Sequence, residues 1–355
     1  MSRTATSLTE AGHGLARHIG SVHGARTGPT LLVVAGIHGN EPAGVTAAQR
    51  VVARLERQRT ESRGDFVCLA GNVRALGVGV RFLERDLNRG WSPSRLAALP
   101  SHGRAEDAEQ RELAAALDAA RGAARGPIHF LDLHTTSADG IPFAMVGRNA
   151  AARAFALQFP VPALLGLLEL VDGTLLEYMR AQGCIALGFE AGQNDDPRSA
   201  DHDEAMLWIA LVGAGLVAAR DVPDLERHRS LLSRARRGLP QFVRIESRHA
   251  ITPADGFRME PGFANIQPIT ADQLLAHDRN GEVRAPRTGI LLMPLYQSQG
   301  EDGFFLGRAV KLRGLRLATA WRRFWSIRRK HRDAVVVPRG HALRIREPQE
   351  PLAAV

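Results

Sequence analysis

Lysine is almost missing from this chain. Lys311 and Lys330 are the only two among 46 basic residues, so the net charge of +9 is carried by arginines scattered along the whole length. Scattered charge is weak support for a nucleic-acid or membrane partner, which needs basic residues gathered on one face. One stretch is denser: "WRRFWSIRRKHR", residues 321–332, interleaves Trp321, Phe324, Trp325 and Ile327 with arginines. A solvated face with its aromatics packed inward is the expectation there, and contact with nucleic acid or an anionic lipid surface is the rival. Cysteine is as scarce. Cys68 and Cys184 each fall in an apolar run ("FVCLA" and "GCIALGF"), the setting of a buried thiol, and no structural disulfide is expected. Long apolar runs are missing too, since nothing approaches the ~18 to 20 residues needed to cross a bilayer. The opening "MSRTATSLTEAGHG" lacks the apolar centre of a secretory signal. The expected location is the cytoplasm, with neither a membrane nor nucleic acid as partner.

What is present is 355 residues, 45% hydrophobic and 23% charged, the composition of a globular protein with room for two domains. In the first half the apolar runs "TLLVVAGI", "DFVCLAGN", "IHFLDLHT", "FAMVG" and "CIALGFEAG" read as strands. They alternate with segments of helical period at 43–58, 105–124 and 201–220, the last with Asp201 as its N-cap, and this alternation predicts an α/β layer fold. After about residue 236 the texture changes to short segments punctuated by Gly, Pro, Asn-Gly and Asp-Gly, the pattern of a small all-β domain. The expected division is an α/β catalytic domain at 1–236 and a β-rich domain at 237–355, with 229–240 ("RSLLSRARRGLP") as the linker.

The run "LLVVAGIHGNEPAG" breaks at Gly36 and delivers His38 and Glu41 three residues apart, just before a predicted helix. An imidazole and a carboxylate so placed can reach one divalent ion, and His134, ending "IHFLDLH", supplies a third ligand. Two histidines and a glutamate with one open position form a catalytic zinc set. Both groups fall at the carboxyl ends of strands, where open α/β sheets place their ligands. Glu190 leaves another such strand, and a carboxylate is costly to bury there without a task; general base toward a metal-activated water is the natural one. Between the ligands, "RFLERDLNRGW" offers Arg81, Arg85, Asn88 and Arg89, donors suited to clamping a carboxylate. Asp132, two residues before His134 on the same strand face, either orients a ligand imidazole or caps a loop. His202 reads as a helix-start residue in a polar loop, with substrate contact as the alternative. Taken singly each feature has a bland reading; their joint placement at strand ends favours chemistry.

"GIHGNEPAG", "RFLERDLNR", "DLHTTS" and "GFEAGQ", in that order, resemble the succinylglutamate desuccinylase and aspartoacylase family, a branch of the zinc carboxypeptidase superfamily. The resemblance extends from about residue 30 to about 310. It implies a mixed central sheet flanked by helices and a small C-terminal barrel-sandwich-like β domain. It also implies one zinc ion per chain, held by His38, Glu41 and His134, with Glu190 as the base that then protonates the departing amine. Arg81 matches the arginine that steadies the oxyanion, Asn88 and Arg89 the pair that holds the substrate carboxylate, and Arg180 a further carboxylate-binding arginine. A tyrosine that some members supply from the C-terminal domain has Tyr296 nearby, although a shift in alignment puts a phenylalanine of "GFFLG" in its place. The absence of lysine between 241 and 310 excludes a biotinyl or lipoyl carrier role for that domain, which is expected to narrow the mouth of the active site.

The reading is therefore a zinc-dependent hydrolase of an N-acyl amino acid, N-acetylaspartate- or N-succinylglutamate-like, compatible with a homo-oligomer. A zinc carboxypeptidase acting on short peptides is the rival among enzymes. The rival of another class is a catalytically silent binding module that contacts nucleic acid or lipid through 321–332. Intact His38, Glu41, His134 and Glu190 weigh against it, because a dead enzyme need not keep all four.

Overall fold

The computed structural model describes residues 15–310 apart from 101, 148 and 237, and the basic stretch 321–332 lies outside the described residues. Along the chain come β1 (His18–His23), β2 (Arg26–Ala35), α1 (Ala43–Gln58), β3 (Arg63–Ala70), α2 (Val73–Val78), α3 (Pro93–Ala97), α4 (Ala105–Ala123) and β4 (Ile128–Thr136). Next are β5 (Phe143–Val146), α5 (Ala150–Ala156), β6 (Ala163–Leu165), α6 (Leu175–Ala181), β7 (Ile185–Gln193), α7 (Pro197–Ala214) and α8 (Leu225–Arg236). The remainder is β8 (Phe242–Ala250), β9 (Arg258–Met259), β10 (Gln267–Ile269), β11 (Leu274–Asp278), β12 (Gly281–Arg284), β13 (Gly289–Leu292) and β14 (Asp302–Ala309). No helix among the described residues is long and apolar enough to cross a membrane.

The strands form one mixed sheet in the order β1-β3-β2-β4-β7-β5-β6-β8-β14-β13-β10. Its centre, β3-β2-β4-β7, is parallel, and parallel strands buried on both faces read as continuous apolar runs. Leu31, Leu32, Val33, Val34 and Ala35 of β2 are accordingly all fully buried. On one face α1 packs Val45, Ala48, Val52 and Leu55, a helical stripe whose burial is worth ~1.5 to 3 kcal/mol per large side chain. Gly44 lets it close in, since a Cβ there would stand 2.8 Å from the Leu133 Cβ. On the other face, Leu113 and Leu117 of α4 join Leu32, Val34 and Phe130 in the main core.

Two expectations, the bounds of one helix and the linker, need correction. The last helix of the first half starts at Pro197, not near Asp201: the Asp196 side chain accepts from the Arg198 N–H, and proline at the first position needs no donor of its own. It ends at Ala214, where Gly215 takes the left-handed conformation (φ 86°). The proposed linker 229–240 is mostly the end of α8, which buries Leu225 and Leu232. The division at 236 and 237 falls just after α8, and β8 pairs with β6, so backbone hydrogen bonding runs across it into β14, β13 and β10. With the three-stranded sheet β12-β11-β9, these C-terminal strands enclose a second apolar core of Met259, Leu275, Leu291, Phe304 and Leu306.

Candidate metal centre and catalytic cleft

At the carboxyl end of β2, Gly36 turns the chain with φ +70° and Gly39 passes against the backbone of α2, where a Cβ would lie 2.1 Å from the carbonyl carbon of Ala75. Only glycine fits the second position without moving that helix. The turn closes with Glu41 N–H donating to the His38 carbonyl (3.2 Å), so both side chains emerge on one side just ahead of α1. Register does the rest: His134 of β4 lies beside Glu190 of β7. His38, Glu41, His134 and Glu190 are all buried.

The expected ligands converge. One nitrogen or oxygen from each of His38, Glu41 and His134 lies within 4.8 Å of the others. His38 Nδ1 stands 2.9 Å from Glu41 Oε1 yet has no hydrogen-bond partner, and His134 Nδ1 stands 3.0 Å from Glu41 Oε2. A buried imidazole nitrogen facing a carboxylate without a hydrogen bond is what a shared cation accounts for, and this donor set suits zinc, with bonds of ~2.0 to 2.2 Å. The far nitrogens are held from behind. His38 Nε2 is 3.1 Å from Asp86 Oδ1, and His134 Nε2 is 3.2 Å from Asp132 Oδ2, so Asp132 faces the His134 imidazole rather than capping a loop.

The electrostatics follow from this crowding. Burial would raise the Glu41 carboxyl, but the charge of His38 and the hydrogen bond and charge of His134 overrule it and hold it far below the usual carboxylate range. Asp86 behaves alike: burial opposes ionisation, and His38, Arg81 and Arg89 outweigh it. For Glu190 burial wins. With Glu41 and Asp132 adding repulsion against His134 and Arg81, its carboxyl is pushed up to about 8. Its Oε2 has no partner, an acid-base group left unengaged beside the ligands.

Arg81 donates to Glu41 Oε1 (3.1 Å) and to Asp86 Oδ2 (3.4 Å), which aims a buried guanidinium into the same space. The loop carrying it is fixed by the buried Glu106 of α4, whose carboxylate accepts the N–H groups of Leu83, Glu84 and Arg85 at 2.7, 3.1 and 3.2 Å. Asn88 Oδ1 accepts from the Leu175 N–H (2.8 Å), leaving its Nδ2 without an acceptor among the described residues. Arg89 donates to Asp302 Oδ2 (2.6 Å), whose other oxygen is taken by Arg248. All six of His38, Glu41, His134, Glu190, Arg81 and Asn88 line one cleft together with Arg89.

Arg180 and Arg85 do not join them. Arg180 is paired with Glu177 on its own helix at 2.8 and 2.5 Å, and Arg85 turns to Asp107 and Gln110 of α4. His202 sits inside α7 with Nδ1 2.7 Å from the Ala191 carbonyl, where burial lowers its pKa. The Tyr296 hydroxyl binds the Glu260 carbonyl and the Phe263 N–H, and Phe305 from "GFFLG" lines the cleft instead. Cys68 and Cys184 are free and buried. Asp86, inside "RFLERDLNR", and Asp302, just ahead of "GFFLG", were not singled out from the sequence, because only the fold shows which cations they face.

Residues 27–210 match the profile of the succinylglutamate desuccinylase/aspartoacylase catalytic domain. The chain belongs to this family. Among curated members, the succinylglutamate desuccinylase of Burkholderia mallei is 30% identical over 191 residues, 50% of this chain and 54% of that protein. The chain thus spans about half the length of the curated relatives it matches. A family structure from Rhodobacter sphaeroides superposes with a TM-score of 0.61 over 82% of this chain and 88% of that one, at 18% identity. The product-bound ectoine utilization protein of Ruegeria pomeroyi gives 0.59 over 81% and 88%, at 19% identity. At such identities the likeness establishes the fold: the mixed sheet and helices of the family are here.

Proposed function

We propose that this family member is a metal-dependent hydrolase that cleaves the amide bond of an N-acyl amino acid. The observation that carries the reading is the convergence of His38, Glu41 and His134 on one point with the unengaged Glu190 carboxyl beside them. The ion favoured by two imidazoles and a carboxylate is zinc, one per chain. When bound, it supplies a Lewis acid that acidifies water and polarises the amide carbonyl.

The chain's own residues do the rest. Glu190 takes the proton of the attacking water and returns it to the departing amine, a role for which a carboxyl with a raised pKa is suited. Arg81, held by Glu41 and Asp86, donates to the oxygen on which negative charge develops. Asn88 Nδ2 and Arg89 take the substrate carboxylate, with Asp302 falling back on Arg248 as Arg89 is released. Asp86 and Asp132 keep the imidazoles turned inward.

In this reading residues 1–236 carry the chemistry and the C-terminal strands narrow the mouth. Supporting it, Met293, Pro294, Leu295 and Gln297 line the cleft, and Gln297 Oε1 accepts from Asn40 in the ligand turn at 2.9 Å. The cleft volume of about 130 Å³ suits a small molecule. Two free buried thiols support a cytoplasmic location. The test is to assay zinc-loaded protein against N-acyl amino acids and short peptides. Hydrolysis of acylamino acids is the expected result, and release from peptides alone would contradict it.

A further inference from the structure

One part of the cleft wall is apolar, while Thr135, Thr136, Ser137, Thr174 and Gln297 add uncharged polar groups elsewhere. Leu167, Leu168 and Val171 from the segment leading into α6, and Leu176 of its first turn, line that part together with Met145 of β5 and Phe305 of β14. Its charged lining is four carboxylates (Glu41, Asp132, Glu190 and Asp302) against two guanidiniums, Arg81 and Arg89. Arg81 is committed to Glu41 and Asp86. One substrate carboxylate can take Arg89, because Arg248 remains to hold Asp302. A second carboxylate finds no further guanidinium among the described lining residues. Arg180 is turned to Glu177 outside the cleft, and the Tyr296 hydroxyl is spent on Glu260 and Phe263. With Arg81 already faced by Glu41 and Asp86 and Arg89 taken by the first carboxylate, a second substrate carboxylate would be buried without a cation, which is strongly unfavourable.

We infer that the cleft selects N-acyl amino acids with a single carboxylate and an uncharged aliphatic or aromatic group, which packs on Leu167, Leu168, Val171 and Leu176. This rests on the hydrolase reading above and names its substrate class. The apolar group can sit on the acyl side or on the amino-acid side chain; its chemistry is the same. Each methylene buried on that wall raises kcat/KM about fourfold.

The experiment measures kcat/KM of the zinc-loaded full chain for two dicarboxylic substrates, N-acetylaspartate and N-succinylglutamate, and two uncharged arms. N-acetylleucine and N-acetylphenylalanine form one arm, N-butanoylglycine and N-hexanoylglycine the other. At least one uncharged arm is expected to exceed both dicarboxylates by tenfold or more, and the better arm tells which end of the substrate meets the wall. Dicarboxylates cleaved equally well or better would overturn the inference while leaving the hydrolase reading intact. No cleavage of any acylamino acid would overturn both. Leu168→Arg provides a second handle, because it adds a cation to the wall without touching the ligands. With folding verified by Tm, the N-acetylaspartate to N-acetylleucine ratio of kcat/KM should rise at least tenfold, and an unchanged ratio would overturn the assignment of the wall.

Discussion

Replacing Asp86 by asparagine tests how far the metal centre depends on what stands behind it. Asp86 is buried, with Oδ1 at 3.1 Å from His38 Nε2 and Oδ2 at 3.4 Å from Arg81. The asparagine keeps an oxygen to accept the Asn88 N–H (2.8 Å), so the turn at Leu87–Arg89 retains its cap and the fold should stand. What disappears is the negative charge that orients His38 and fixes Arg81. Losing such an outer partner weakens metal binding ~10 to 100-fold, equivalent to ~1.4 to 2.7 kcal/mol. Arg81 keeps only Glu41, so its aim at the oxyanion loosens, and kcat at saturating zinc should fall by a further ~10-fold, short of the ~10² to 10³ for removing a donor outright. Zinc affinity is read by chelator competition and kcat in zinc excess. An unchanged affinity and an unchanged kcat, in a protein of wild-type Tm, would refute the role given to Asp86.

Two further outcomes follow from the same structure. Glu190→Gln keeps the size of the proposed base but cannot shuttle a proton; kcat should drop ~10² to 10⁴-fold with zinc stoichiometry unchanged, checked by turnover and metal analysis. His129 lies against Phe155 (ring centroids 4.7 Å apart), and burial lowers its pKa from 6.5 to about 4. The folded state therefore binds fewer protons than the unfolded state between those values, and stability is lost as pH falls from 6.5 toward 4. His129→Leu should flatten Tm against pH over that window relative to wild type, and parallel curves would contradict it.

Much of the centre was legible because its signals are local. A run of apolar residues ending at Gly36 fixes where β2 stops, and a turn of three residues then fixes that His38 and Glu41 emerge together. The pairing of His134 with Glu190 follows once both strands are placed in a parallel sheet. Arginines were harder. Their long side chains reach several partners, and spacing alone did not reveal that Arg85 goes to Asp107 or that Arg89 shares Asp302 from 213 residues away. Arg180 carried a local warning, since Glu177 stands three residues earlier on the same helix, a spacing that favours an ion pair. β6 has only three residues, too few for a period, and α8 hides its two buried leucines among arginines.

The central claim is that His38, Glu41 and His134 share one divalent ion. Equilibrium dialysis of the full chain against zinc, followed by elemental analysis, measures it directly. One zinc per chain is expected for the wild type, falling to near zero in Glu41→Ala and His134→Ala variants that keep their fold. A wild type that binds no stoichiometric zinc, or variants that bind as much as it does, would contradict the account.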